Sequence, residues 1–257
     1  MASAATPGAS RMSDIAREHL EALNAGTAEA RTLTEALAID HGALLRAAVP
    51  DAGAELAAAV ASAGERGILR RMGAIGAALE HHLPSGQLAG LAEHPSDTVR
   101  GWWCFATAAD ASLDAEALLG AALPRADDDR FTVREWVWMA LRPRLVPDLV
   151  GSIGLLTPWT LAGSANVRRF ASEALRPRGV WAAHIGELKL RPELGEPLLE
   201  PLRADPSRYV QDSVANWIND AAKTSPDWAR ALCGRWLEES PTPETERITG
   251  RALRSLR

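Results

Sequence analysis

The chain has 257 residues, 47% of them apolar, and carries 33 Asp+Glu against 28 Lys+Arg for a net charge of −5. That balance excludes a generally basic, polyanion-coating surface and leaves any nucleic-acid contact to a local patch. No apolar run nears the length of a membrane span, the start lacks a charged region followed by an apolar core, and Cys104 and Cys233 lack metal spacing, so the composition predicts a cytoplasmic protein with two buried thiols.

In chain order, Met1 to Ser10 is Ala/Ser/Gly-rich and predicts disorder, followed by one repeat domain over 11–257. Ser13 to Leu23 reads as a helix with Ser13 as N-cap. Ala28 to Leu37 follows, then His41 to Ala48, closed by Pro50. Asp51 caps a helix to Ala63, and Glu65 to His82 stops at Leu83-Pro84. Gly86 to Glu93 is short, and Ser96 caps Asp97 to Ala109. Leu113 to Leu123 ends at Pro124, and Asp127-Asp128-Asp129 places negative charge at the next helix start, where the dipole favours it. That helix runs to Leu141 and breaks at Pro143. Val146 to Leu156 turns back before Pro158, and Ala165 to Leu175 breaks at Pro177. Trp181 to Leu188 and Pro192 to Leu202 fill a longer gap. Ser207 to Ala222, Pro226 to Glu239 and Pro243 to Leu256 close the chain. Strand signals are nearly absent.

One stretch repeats. Val133 opens V-R-E-W-V-W-M-A-L-R-P-R, and Val167, 34 residues on, opens V-R-R-F-A-S-E-A-L-R-P-R. Weaker copies open at Val99, Val210 and Thr245. Val133, Trp136/Val137 and Ala140/Leu141 form the stripe of a half-buried helix. Short paired helices with a period of about 35–43 residues predict an all-α fold, a HEAT-like or armadillo-type α-α superhelical solenoid. The third position of each copy, off the stripe, holds Gly101, Glu135, Arg169, Asp212 and Arg247. Stacked helices align equivalent positions, so these predict a file of charges on one surface.

The charge is unevenly placed. Residues 1–127 hold 9 Lys+Arg and 16 Asp+Glu, whereas residues 128–257 hold 19 and 17. The excess is almost all arginine, whose planar fork suits phosphate, although a GC-rich genome produces the same scarcity of lysine.

Val133 to Arg144, Phe170 to Trp181, Tyr209 to Asp220, Thr32 to Asp40 and His94 to Trp102 resemble the AlkC/AlkD-like alkylpurine DNA glycosylases, nearer the AlkC branch. The resemblance covers roughly residues 30–256. It implies a HEAT-like superhelix, a concave surface for double-stranded alkylated DNA and no cofactor. It also implies excision of 3-methyladenine or 7-methylguanine type lesions without full flipping of the base. Some members carry an immunoglobulin-like domain after the repeats that contributes DNA contacts; this chain is expected to have none, and to be a monomer.

The chemistry agrees with that class. An N3- or N7-alkylated purine is already cationic, so its glycosidic bond breaks without a general acid. A fixed carboxylate beside the sugar stabilises the developing positive charge and orients water. Glu135 and Asp212 are the catalytic candidates, Glu135 first because Trp136 and Trp138 adjoin it. Arg169, Arg134, Arg142, Arg144, Arg176, Arg178 and Arg247 are candidates for phosphate, and Trp138 and Trp181 for sugars or bases. Glu173, Asn216 and Asp220 extend the same helix faces.

Plainer roles stand beside these. Glu135 and Asp212 can pair with Arg169 to fix the stack, Arg169 can pair with Glu173, and the arginines beside proline can cap last-turn carbonyls. Trp217, Trp228 and Trp236 fit core packing. Glu80-His81-His82 has no second ligand cluster and reads as helix-end charge rather than metal. Walker, G-x-S-x-G and H-E-x-x-H patterns are missing. The alternative to an enzyme is a non-catalytic HEAT scaffold that binds DNA or protein.

Overall fold

A computed structural model describes residues 8–179 and 181–256, and no described residue lies in a strand. The helices are α1 Arg17–Asn24, α2 Leu33–Ala38, α3 His41–Ala48, α4 Ala54–Ala63, α5 Ile68–His82, α6 Ser85–Gly90, α7 Asp97–Ala109 and α8 Ala115–Ala126. They continue with α9 Phe131–Leu145, α10 Leu149–Leu156, α11 Ala165–Glu173, α12 Gly186–Leu190, α13 Glu196–Leu199, α14 Arg208–Ala222, α15 Pro226–Glu239 and α16 Pro243–Ala252. Two compact units divide the chain: one holds residues up to 114 with 128–140, the other 115–127 with 141 onward. Residues 1–7 of the N-terminal stretch expected to be disordered lie outside the described residues. Ala9 and Ser10 are seated: Ala9 N donates to Glu35 at 2.8 Å, and Thr34 Oγ1 donates to Ser10 O at 3.2 Å.

The starts of several helices follow from short polar side chains that accept orphan N–H groups. Asp40 accepts from Gly42 N and Ala43 N, Asp148 from Gly151 N, and Thr242 from Thr245 N. Other ends differ from expectation. Pro124 and Pro143 do not stop their helices, because both fall in a last turn where only one backbone bond is forfeited. Ser13 caps nothing long: it lies in a 3₁₀ turn, Met12–Asp14, and α1 begins at Arg17. Pro192, Pro197 and Pro201 each open a new short turn, which divides the expected Pro192 to Leu202 helix into a 3₁₀ turn, α13 and another 3₁₀ turn. Trp181 adopts φ 61, which no right-handed helix admits, so only Gly186–Leu190 of that stretch is helical.

In the first unit α5 lies against α7, with α4, α3 and α1 stacked in turn. The approach of α5 to α7 requires Gly76: a Cβ there would stand 2.5 Å from the backbone carbon of Phe105. Gly101 in the third repeat position is explained the same way, since a Cβ would meet the Trp136 ring at 2.6 Å. In the second unit α14 is the hub, packed on α11, α15 and α16. Phe170, Val214, Trp217, Ile218, Trp236 and Ile248 fill its core. Trp217 Nε1 donates to Leu175 O at 3.1 Å, and Trp228, half-buried, donates to Glu196 at 2.8 Å. Both cysteines are buried, and burial pushes the Cys233 thiol up to about 12.

The second position of the first four copies, not only the third, is built into the stack. Arg100 donates from Nη1 to His94 O and Pro95 O, six and five residues back. Arg134 does the same with Asp128 O and Asp129 O, and Arg168 with Ala162 O and Gly163 O. Gln211 replaces the arginine and donates to Asp205 O at 2.8 Å. For Arg100 and Arg168 the other edge of the fork reaches a carboxylate at the start of a following copy. Arg100 holds Asp128 at 2.9 Å, and Arg168 holds Asp205 at 2.6 Å. These aspartates also accept from Arg130 N and Ser207 N, so one side chain fixes a turn and joins two copies.

His41, at the start of α3, is buried, and its Nδ1 accepts from Trp102 Nε1 at 3.1 Å. Its proton therefore sits on Nε2, which is buried with no partner among the described residues. Burial, then the Arg71 charge, lower its pKa to about 4 against an opposing pull from Asp40. Unfolded chain takes up a proton between pH 6.5 and 4 that folded chain refuses, so stability falls as pH falls through that window. The expected loss is about 3 kcal/mol over the full window. Urea midpoints at pH 7 and 5 measure it, and His41→Gln, which keeps an acceptor for Trp102, should flatten the dependence.

Candidate functional site

In the second unit the buried polar residues gather where α11 ends against α14. Glu173 closes α11 because it sits four residues after Arg169, and the i,i+4 spacing puts their ends 3.4 Å apart. Arg169 also lies over the Tyr209 ring, 4.9 Å from its centre. Arg176 donates to Glu173 Oε1 at 2.7 Å and, through Nε and Nη2, to Asp220 Oδ2 at 3.0 and 2.7 Å. The other Glu173 oxygen accepts from Ser213 Oγ at 2.6 Å, and Ser213 in turn meets Ser172 at 2.8 Å. Lys223 approaches the free Asp220 oxygen at 3.6 Å, and Arg178 Nε donates to the Asp220 carbonyl at 3.1 Å. Glu173, Arg176 and Asp220 are respectively 3%, 8% and 5% exposed, so this is a dry, closed charge cluster. Burial alone would raise the Glu173 carboxyl. Arg169, Arg176 and Ser213 outweigh it and hold the group below the ordinary glutamate value. The same carboxylates raise Arg176 against its burial.

Arg142 and Arg176 occupy the same letter of the repeated A-L-R-P-R tail, yet they do different things. Arg142 is enclosed and donates to Ala174 O at 2.8 Å, Arg176 O at 2.6 Å and Ala183 O at 3.0 Å. It thereby satisfies the orphan carbonyls after α11 and fastens the turn that carries Trp181. Burial, then the Arg176 charge, lower it to about 10, which leaves it protonated at neutral pH. Its guanidinium is thus withdrawn from any phosphate rim. Trp181 is 49% exposed in its left-handed backbone, and Arg144 is half-buried.

The remaining members of the outward file in this unit are Asp212 and Arg247, and they meet: Arg247 Nη2 donates to Asp212 at 2.7 Å. Arg251 approaches the same oxygen at 3.0 Å. Asn216, one turn along α14, accepts from Arg254 at 2.9 Å. Asp212 therefore spends its charge on α16 rather than on Arg169, as the sequence allowed.

In the first unit Glu135 is half-buried and accepts from Trp138 Nε1 at 2.8 Å. Trp138 is itself buried, so its ring positions Glu135 instead of offering a stacking face. Trp136 is buried edge-on to Phe105, ring centres 6.3 Å apart. Arg134 is directed to the Asp128 and Asp129 carbonyls. Ser213, which the sequence analysis did not single out, donates directly to Glu173. Its equivalence to Trp136 in position gave no signal of this. Among the described residues no group of three His, Cys, Asp or Glu converges as metal ligands do.

Stacked helix pairs stitched by repeated arginines, with no described strand, define an all-α HEAT-like repeat fold. In fold the chain is similar to solved AlkC- and AlkD-type proteins. The alkylpurine DNA glycosylase AlkC of Pseudomonas fluorescens, solved on DNA containing an abasic-site analog, matches with a TM-score of 0.70 and 25% identity over 97% of this chain and 65% of that one. AlkD2 of Streptococcus mutans matches at 0.61 and 18% identity over 77% of this chain and 98% of that one. The smu.31 protein of Streptococcus mutans UA159 matches at 0.60 and 19% identity, over 72% and 92%. In sequence, 128 residues are 38% identical to the uncharacterised protein YhaZ of Bacillus subtilis strain 168, half of this chain and 35% of that protein. The chain thus spans about a third of YhaZ and just under two thirds of AlkC. No protein-family model matches the sequence.

Proposed function

We propose that the chain is a DNA glycosylase that removes cationic alkylated purines, 3-methyladenine foremost and 7-methylguanine second, from duplex DNA. The observation that carries this is the likeness to an alkylpurine glycosylase solved on DNA, which runs over 97% of the chain. The chemistry of the carboxylates supports it. The lesion brings its own positive charge, so the departing base needs no proton donor. What the sugar needs is negative charge already in place as it becomes oxocarbenium-like. Glu173 is held in its ionised form, Arg176 fixes both Glu173 and Asp220, and Trp138 fixes Glu135. Asp212 is compensated by two arginines, so the second carboxylate role passes from it to Asp220. Trp181, half-exposed, offers the ring for the deoxyribose or base.

One observation favours the scaffold reading instead: Glu173 and Asp220 are almost fully enclosed and their charges already matched. Incubation with methylated duplex DNA and mass spectrometry of the released bases separates the two. Release of 3-methyladenine supports the enzyme, while binding of the duplex with no base released supports the scaffold.

A further inference from the structure

We infer that the first unit binds a small monovalent anion between Arg71 and His41, in the place that an aspartate side chain takes beside later arginines of the stack. The inference does not depend on base release. Arg71 is an earlier member of the second-position series, 29 residues before Arg100. The contact of α5 with α7 keeps that register: a Cβ at Gly76 would meet Phe105, and one at Gly101 would stand 3.0 Å from Met72 Cε. Like the later arginines, Arg71 gives one nitrogen to two carbonyls of the turn before its helix. Its Nη2 donates to Gly64 O at 2.6 Å and to Arg66 O at 3.2 Å. The difference lies at Nε. Arg100 Nε reaches Asp128, and Arg168 Nε reaches Asp205. Arg71 Nε is buried with no partner among the described residues, and no described carboxylate pairs with its guanidinium.

A histidine stands where the aspartate is due. Asp128 and Asp205 lie six residues before Arg134 and Gln211, and each accepts from the N–H two residues on. Six residues before Arg100 stands His94, whose Nδ1 accepts from Ser96 N at 3.0 Å. That bond puts the ring proton on Nε2, so His94 has no acceptor to offer Arg71. His41 adds a second donor. It is 6% exposed, its Nδ1 is engaged by Trp102, and its Nε2–H is buried without a partner among the described residues. Trp102 follows Gly101, which packs on the Met72 turn of α5, and the Arg71 charge is felt at His41. Two N–H groups and one positive charge therefore lie together with no acceptor among them. A water could accept from both, but its own two hydrogens would then need acceptors. An anion only accepts, and it also offsets a half-buried cation. Chloride and short carboxylates such as formate have that chemistry.

Urea unfolding of the full chain at fixed ionic strength tests the inference, with sodium chloride exchanged for sodium gluconate, whose anion is too bulky for the place. Chloride about ten times above its dissociation constant should raise the folded-to-unfolded ratio about tenfold. Arg71→Gln should remove the difference between the two salts. So should His94→Asp, which returns a carboxylate to the series. Each comparison is made between salts within one variant, so a change in that variant's own stability does not enter. Bromide soaked into crystals of the parent and located by anomalous diffraction reads the position directly, and decides the matter even where Arg71→Gln fails to fold. The expected peak lies within hydrogen-bonding reach of Arg71 Nε and His41 Nε2. Equal midpoints in the two salts mean that water serves these donors, and overturn the inference. A salt difference that persists in Arg71→Gln or His94→Asp overturns it too, as does the lack of a bromide peak at this position.

Discussion

Arg176→Met should lower stability by about 3–5 kcal/mol, a larger cost than that of any surface arginine in the chain. Arg176 holds Glu173 and Asp220 together at 2.7 Å each in a site that water scarcely reaches. Methionine fills much of the volume but strips both buried carboxylates of their shared cation, leaving Glu173 the more distant Arg169 at 3.4 Å and Asp220 the more exposed Lys223 at 3.6 Å. In that variant both groups resist ionisation, so their folded-state pKa values rise above the unfolded ones. The destabilisation is then greatest at neutral pH and shrinks as pH falls toward the ordinary carboxylate range. The parent behaves oppositely: Glu173 is depressed, so its contribution persists down to the unfolded value near 4.5 and is lost only below it. Urea midpoints at pH 7 and 5 distinguish the two. Adding Glu173→Gln to Arg176→Met should restore part of the loss, and the non-additivity measures the pair. A loss under about 1 kcal/mol would place the cluster among solvent-screened surface pairs.

The repeat was legible because it is a matter of period and apolar spacing, which the stack reads directly. Val99, Val133, Val167 and Val210 are all buried, and the helices that follow them all form. The polar sites were legible only in part. Identical letters do not fix a role: Arg142 and Arg176 share a tail, yet one meets carbonyls and the other carboxylates, because the next copy offers different partners. The second-position arginines at 100, 134 and 168 are visible as a series, and Arg134 was a phosphate candidate, but the carbonyls they bind lie in turns that period alone does not describe. Asp212 and Arg247 occupy equivalent positions of successive copies and do meet, as stacked register requires. Glu173 and Asp220 became prominent only when their shared arginine was seen, for they belong to neighbouring copies, 47 residues apart in sequence.

Glu173→Gln and Asp220→Asn should each slow the release of 3-methyladenine about 10²–10³-fold, the scale on which fixed electrostatic groups act on a developing charge. Each change keeps shape and hydrogen-bonding capacity while removing one negative charge. Glu135→Gln tests the carboxylate held by Trp138 on the same scale. The pH dependence separates this mechanism from acid catalysis. A cationic base leaves without a proton, so kcat should be level from pH 8 to about 6, with no basic limb from a general acid. Glu173 stays ionised throughout that span, because its arginine and serine partners hold it below the ordinary glutamate value. The first loss on acidification should instead follow unfolding through His41, in the window between 6.5 and about 4. A neutral lesion such as hypoxanthine should be released poorly, since nothing in the cluster donates a proton to it. Rapid release of hypoxanthine, or a basic limb near pH 7, would require a general acid and remove the electrostatic account. Full activity in all three carboxylate variants would move the site elsewhere on the repeats while leaving base release itself intact.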